Sequence, residues 1–337
     1  MTRAPALTFT DKGIYCAVGD FHIDPWRPVE RALITHGHAD HARFGHQSYL
    51  ATHEALPVLQ HRLGSISAQG IRYGETLRLG DAQVSFHPAG HVPGSAQIKV
   101  DVGGESWVAS GDYKIEDDGL STAFEPQRCD HFITESTFGL PVFRWKSQES
   151  VSKELNDWWH RCAADGKTAF LGAYSLGKAQ RLLRMLDTSI GPILTHGAIE
   201  GTNAVLRAQG LALPETTQLT KDTSPKAYKN ALVLAPPSAM TSTWARNFRP
   251  RETAFTSGWM QLRGIRRRRA GDRGFVISDH ADWPGLLQAI KATGADHVYV
   301  THGYTDIFAR YLSENGLDAQ VVPTEFGGDD TDDEAAA

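Results

Sequence analysis

Within the six positions 36–41, three imidazoles and a carboxylate crowd together in Thr35-His36-Gly37-His38-Ala39-Asp40-His41. Imidazole and carboxylate together suit zinc, and manganese or iron less well. A run this dense offers more ligands than one open tetrahedral ion can use, so two metals are the natural reading. The apolar run Ala32-Leu33-Ile34 must position them, as a strand ending at Thr35 whose following turn lets His36, His38, Asp40 and His41 converge. Asp24 closes another strand, residues 21–24. There it could accept a hydrogen bond from a ligand imidazole and fix its tautomer, with Asp20 as the rival.

Further ligand types stand behind strands along the chain. The alternating run 82–86 leads into a Gly/Pro turn that carries His91, preferred to His87 as a ligand. A strand over 106–109 runs into Ser110-Gly111-Asp112, where a carboxylate can bridge two metals. Late in the chain, a strand over 274–278 leads to Asp279-His280-Ala281-Asp282, and a strand over 297–301 leads to His302. Asp282 and Pro284 begin a helix that Gly294 ends. Near the front, residues 7–18 read as opening strands, and Thr52 as the cap of a helix over 54–63 stopped by Gly64.

From Glu149 to about Gly271 the pattern changes. Val151, Leu155, Trp158, Trp159 and Cys162 fall at helical spacing, and Gly166 ends that helix. Strand-like and helical runs then alternate over 168–172, 176–186, 192–195, 198–209, 231–235, 238–248 and 253–257, which predicts a small parallel α/β unit. The turn Tyr174-Ser175-Leu176-Gly177-Lys178 opens a helix whose free N–H groups could receive a phosphate. His196, in Thr195-His196-Gly197, has no second ligand nearby and is left unassigned.

The order of these motifs, H-x-H-x-D-H, then a G-H turn, then a G-D turn, resembles the metallo-β-lactamase fold. Phe132-Ile133-Thr134-Glu135-Ser136-Thr137-Phe138-Gly139 is similar to the E-S-T-Y-G segment of β-CASP nucleases. His280 matches their S-A-H-x-D motif, with Asp279 in place of alanine, and His302 matches their late V-H-G motif. Neither departure, Asp279 or Phe138, removes a ligand. The resemblance covers nearly the whole chain and implies an α/β protein. Residues 1–148 and 273–326 would form a metallo-β-lactamase αββα sandwich, 149–272 an inserted β-CASP parallel α/β cap, and 327–337 a disordered acidic tail.

It also implies roles. His36, His38, His91 and Asp112 would hold one zinc ion, and Asp40, His41, Asp112 and His302 a second, with a hydroxide between them. Asp40, Glu135 and His280 would be catalytic, His280 donating a proton to the leaving oxygen while Glu135 orients it. Ser136 and Thr137, with Ser175 and Lys178, are candidate phosphate contacts. The likeness is greatest to bacterial exonucleases associated with DNA ligases, relatives of Artemis and Apollo. It implies a 5′-to-3′ DNA exonuclease in DNA repair, with nucleic acid as partner, DNA preferred over RNA, and a DNA ligase or other repair protein beside it. His302 points the other way, because the crosslink-repair branch generally lacks that histidine and the RNA-processing branch has it. An endo- or exoribonuclease is therefore the alternative. A thioesterase or lactonase of the same fold would lack the cap and the Glu135/His280 pair, and a non-catalytic binding member would have lost ligands.

Composition agrees with a chain of 337 residues in about two domains. No run approaches the roughly twenty apolar residues of a membrane span, and the N-terminus has no apolar signal core, so no membrane partner and a cytoplasmic location are expected. Cys16, Cys129 and Cys162 are scattered and suggest neither a disulfide framework nor a thiolate site. The net charge is −5, and Asp329, Asp330, Asp332, Asp333 and Glu334 carry all of it, leaving a neutral body. Within that body Arg263, Arg266, Arg267, Arg268, Arg269 and Arg273 cluster, as a solvated face or a phosphate-backbone contact.

Overall fold

A computed structural model describes residues 5–269, 271–322 and 324, so the acidic tail expected at 327–337 lies outside the described residues. Two compact units emerge: one runs to Arg144 and resumes at Asp279, and the other is Trp145–Ser278. Among the described residues no helix is long and apolar enough to cross a membrane.

The first unit opens with β1 (Thr8–Thr10), β2 (Gly13–Cys16), β3 (Phe21–Ile23), β4 (Arg31–Leu33), β5 (Ser48–Thr52), α1 (Leu56–Leu63) and β6 (Ala68–Ile71). These strands form a sheet in chain order, antiparallel up to β3 and parallel beyond it. Helix α1 starts later than expected, at Leu56 with Pro57 in its first turn, and Thr52 does not cap it. The Thr52 hydroxyl instead accepts from Ala55 N at 3.1 Å and donates to Gly94 O at 2.7 Å, tying the helix start to the turn that carries His91. A second sheet begins with β7 (Thr76–Leu79), β8 (Ala82–Pro88), β9 (Ala96–Val102), β10 (Glu105–Ala109) and β11 (His131–Ser136).

The second unit starts with α2 (Gln148–Ala164), which buries Val151, Leu155, Trp158, Trp159 and Cys162 on one face. There follow β12 (Thr168–Gly172), α3 (Lys178–Met185), β13 (Ile193–Thr195), α4 (Gly197–Ala208), β14 (Thr217–Gln218), β15 (Leu232–Ala235), β16 (Arg251–Thr256), α5 (Arg263–Arg269) and β17 (Arg273–Phe275). Their sheet is parallel throughout, in the order β14-β13-β15-β12-β16-β17. Two expectations need correction. Residues 238–248 form two short 3₁₀ turns, Pro237–Thr241 and Trp244–Asn247, rather than one helix, because the backbone is extended at Ser242, whose hydroxyl donates to Ala239 O. The strand expected at 274–278 is shorter, and β17 pairs with β16 inside this unit because Phe275 belongs to its core.

Returning to the first unit, α6 (Trp283–Thr293) is capped by Asp282, whose carboxylate accepts from Gly285 N at 3.0 Å, and Gly294 ends it in the left-handed region. After it come β18 (His297–Gly303), α7 (Thr305–Glu314) and β19 (Asp318–Val321). The completed second sheet runs β19-β18-β11-β10-β9-β8-β7. Inward residues of both sheets share one apolar core: Phe21, Ile23, Leu33 and Leu50 from the first, Val84, Phe86, Ile98 and Val100 from the second. The outer face of the first sheet packs on α1 through Leu59, and that of the second on α6 and α7 through Leu286, Ile290, Phe308 and Leu312.

Parallel pairing of β10, β11 and β18 brings their C-terminal ends to one edge, the edge to which Asp112, Glu135 and His302 belong. A register shift between Glu135 and Ser136 accompanies a positive φ at His302. Gly303 closes that turn at φ +76°, and a Cβ there would meet Ser136 O at 2.4 Å and Thr137 Cα at 2.5 Å. Gly303→Ala is therefore expected to lower the unfolding free energy of the first unit by about 2–4 kcal/mol, through left-handed strain and overpacking. A urea titration checks this, and an unshifted midpoint would contradict the packing described.

Candidate metal centre

Asp24 organises the start of the site. Its Oδ1 accepts from Thr35 N at 2.8 Å, while Oδ2 accepts from the Thr35 hydroxyl at 2.6 Å and faces His41 Nδ1 at 2.8 Å. One carboxylate thus pins both the end of the β4 segment and the ring of His41. Asp20, the rival, takes the Tyr15 hydroxyl at 3.0 Å in a turn. Opposite Thr35, Gly111 has φ +54° and a Cβ there would meet the Thr35 hydroxyl at 2.6 Å, so the loop bearing Asp112 passes this close only as glycine. His91 directs Nδ1 to Asp279 O at 2.9 Å, which makes Nδ1 the donor and leaves Nε2 as its lone-pair nitrogen.

Four ligand atoms then face one another: His36 Nε2, His38 Nδ1, His91 Nε2 and Asp112 Oδ2. His38 Nδ1 lies 3.1 Å from both His36 Nε2 and His91 Nε2, and Asp112 Oδ2 lies 3.5 Å and 3.7 Å from those two nitrogens. A tetrahedron built on zinc–ligand bonds of about 2.0–2.2 Å has edges of about 3.3–3.6 Å, so the residues fit such an ion in number, type and spacing. A second group joins His36, Asp40 and His41, with His41 Nε2 at 3.5 Å from Asp40 Oδ2 and 3.4 Å from Asp112 Oδ2. A third joins Asp112, Glu135 and His280. Here His280 Nδ1 meets Glu135 Oε2 at 2.9 Å, and Glu135 Oε1 accepts from Tyr113 N at 2.8 Å.

Burial shapes the charges. It pushes His36 well below the ordinary imidazole range and His91 down to about 3, with neighbouring histidines adding to the effect, so both are neutral and able to coordinate. Burial acts on His41 in the same direction, but Asp112, Asp40 and Asp24 outweigh it and hold its pKa well above the usual value. Asp112 is held well below the carboxylate range, since the attraction of His41 and His280 overcomes desolvation. Asp112 is 5% exposed and Glu135 1% exposed. Buried anions at such density call for cationic compensation, as divalent ions would provide.

Of the residues singled out in the sequence, His36, His38, Asp40, His41, His91, Asp112, Glu135 and His280 are brought together in these groups. His302 stands beside them rather than within them: its ring stacks on His41 at 5.2 Å, and its Nδ1 faces the Thr301 hydroxyl at 3.1 Å, so Nε2 is the nitrogen it would offer. Ser136 is not placed to meet a phosphate. It is fully buried, and its hydroxyl is directed at Thr301 O and His302 O, holding the C-terminal end of β18. Thr137 is half-buried beside it.

Ser175 and Lys178 belong to the second unit. Gly177 stands at the N-cap of α3, and the buried Lys178 ammonium lies over the Tyr174 ring at 4.5 Å. His196 also has a local task there, as its Nδ1 accepts from Ala198 N and caps α4. Sequence reasoning missed the carbonyl of Asp279 and the amide of Tyr113, because main-chain groups leave no residue-type signal. Thr35 could have been suspected from a hydroxyl immediately before the first histidine.

No family model matches the chain. A probable DNA ligase of Opitutus terrae is 29% identical over 313 residues, 92% of this chain and 30% of that protein. Endoribonuclease YSH1 of Gibberella zeae is 30% identical over 50% of this chain and 20% of its own length. Ribonuclease TTHA0252 of Thermus thermophilus is 28% identical over 50% of this chain and 45% of its own. The chain thus spans less than half of each of these relatives. Among solved structures, a protein of unknown function from Enterococcus faecalis superposes with a TM-score of 0.57 over 88% of this chain and 80% of the other, at 11% identity, a likeness of fold alone. The relatives and the motifs around His36, Glu135, His280 and His302 agree: this chain is similar in sequence to members of the β-CASP group of the metallo-β-lactamase family.

Proposed function

We propose that the chain is a metal-dependent phosphodiester hydrolase acting on nucleic acid, a 5′-to-3′ DNA exonuclease in its preferred form. The convergence of His36, His38, His91 and Asp112 next to the His280–Glu135 pair carries this reading. On it, the first unit is a metallo-β-lactamase αββα sandwich, supported by its three successive apolar layers, and the second is the β-CASP cap. The four converging atoms hold one ion. Asp40, His41, Asp112 and His302 hold the other, and zinc suits both sites better than manganese or iron. When bound, two such ions supply a water made nucleophilic at neutral pH and positive charge for the phosphoryl oxygens.

The remaining work falls to side chains. His280 Nδ1 gives its hydrogen to Glu135 Oε2, which turns Nε2 outward as the atom that passes a proton to the leaving oxygen. Glu135, fixed by Tyr113 N, keeps that ring from rotating. Asp24 holds His41 by Nδ1 and so presents Nε2 to the ion. Thr137 is the phosphate contact of this unit. DNA is preferred because the relative matched over 92% of this chain is a probable DNA ligase, and a ligase or another repair protein is the proposed partner. RNA is the second reading, favoured by His302 and by the two ribonuclease relatives, each matched over 50% of the chain.

Three measurements follow from these roles. His280→Ala is expected to cut turnover about 100- to 10,000-fold while metal content, read by mass spectrometry, stays at the wild-type level. Parallel loss of metal would make His280 a ligand instead. Asp24→Ala is expected to weaken metal retention about 10- to 100-fold against a competing chelator, and unchanged retention would remove its assigned role. Labelled single-stranded DNA and RNA, with and without a 5′-phosphate, should show DNA shortened stepwise from the 5′ end; cleavage of RNA alone would transfer the assignment to RNA processing.

A further inference from the structure

Charge in this protein is segregated. Residues 244–275 contain nine arginines, two acids and no lysine, a net +7, so the rest of the chain carries −12. Both acids are already engaged. Glu252 accepts from Trp158 Nε1 at 2.7 Å and pairs with Lys167 at 3.6 Å, while Asp272 accepts from Thr253 N and its hydroxyl, each at 2.7 Å. Arg263, Arg266, Arg267 and Arg268 are exposed on α5, and no acidic group among the described residues lies within ion-pairing distance of them. Arg273 follows on β17, the edge strand of the sheet, its guanidinium over the Phe275 ring at 4.9 Å. Exposed like charges at this density repel one another, a cost that persists unless an anionic partner takes them up.

We propose that this arginine surface of the second unit binds the phosphate backbone of a nucleic-acid strand without regard to sequence; it rests on the nuclease reading for the identity of the polyanion. Three features favour a phosphodiester chain over an acidic protein or a lipid surface. Every cation of the segment is an arginine, whose planar fork matches phosphate oxygens in pairs. The large exposed apolar side chains of the described residues are Val18, Phe44, Val142, Ile307 and Val321, none of them in this segment, so it offers no anchor for a protein core or a bilayer. The arginines extend from α5 onto a neighbouring strand, as a surface that tracks a backbone requires.

The test compares the full-length holoenzyme with a variant carrying Arg266→Ala, Arg267→Ala and Arg268→Ala. Fluorescence anisotropy reads binding of a labelled single-stranded phosphorothioate oligonucleotide, which resists hydrolysis, across a salt series. The variant should bind about 10- to 100-fold more weakly at low salt, and the slope of log K against log salt should become shallower by about 2. Hydrolysis of the small diester bis(p-nitrophenyl) phosphate should not change. A matching set of Arg→Lys substitutions should keep most of the slope, which separates charge from fold. Equal affinity and slope in wild type and alanine variant would overturn the proposal. So would a slope restored to wild type in that variant by deleting residues 327–337, since the arginines would then serve the chain's own acidic segment. If the wild type cleaves no nucleic acid yet loses binding through these substitutions, the surface stands and the nuclease reading falls; cleavage with unaltered binding does the reverse.

Discussion

One carboxylate oxygen sets the terms for the first unit. Asp112 Oδ2 lies 3.4–4.0 Å from nitrogens of His41, His36, His91 and His280, which come from three separate stretches of the chain. Desolvating a carboxylate to this degree is costly, and it persists only where positive charge surrounds it. Around His41 the carboxylates of Asp112, Asp40 and Asp24 outweigh burial and raise its pKa, so a divalent ion at Nε2 would displace a proton and supply the compensating charge itself. His36 and His91 supply no such charge, since burial keeps them neutral. A site that pairs neutral imidazoles with buried carboxylates is matched to divalent cations, and the proposed chemistry follows from that electrostatic deficit.

The scaffold meets this constraint through strand direction. Because β10, β11 and β18 are parallel neighbours, Asp112, Glu135 and His302 leave the sheet at the same edge although 190 residues separate the first from the last. The opposing sheet contributes the His36–His41 turn, fastened by Asp24 to Thr35. Close approach at Gly111 and Gly303 lets these loops meet without side chains in the way. Stability and function are thus coupled locally, since the same turns that present ligands tolerate the least change.

Much of this was legible from residue types. The density of ligands at 36–41 and the strand-end positions of His91 and Asp112 stand out because metal ligation demands particular side chains at strand ends, whereas Glu135 and His280 stand out only through their likeness to the motifs of a known family. Asp24 was legible only as one of two candidates beside Asp20, and the contacts with Thr35 and His41 separate them. What could not be read were main-chain partners, the Asp279 carbonyl and the Tyr113 amide, and the fate of hydroxyls. Ser136 looked like a phosphate contact by its neighbours, but the register shift after Glu135 turns it inward against β18. Similarly Phe275, apolar and strand-forming, gave no sign of which sheet it would join, and pairing with β16 decided it. The early start expected for α1 overlooked Pro57, which favours the first turn of a helix over its interior.

The central claim is that four side chains from three places in the chain enclose a metal ion. An anomalous-difference map at the zinc absorption edge, from crystals of the purified protein, tests it most directly. The account predicts a peak bonded to His36 Nε2, His38 Nδ1, His91 Nε2 and Asp112 Oδ2, with a neighbouring peak on the Asp40 and His41 side. Zinc-supplemented crystals with no peak among those four atoms would contradict it.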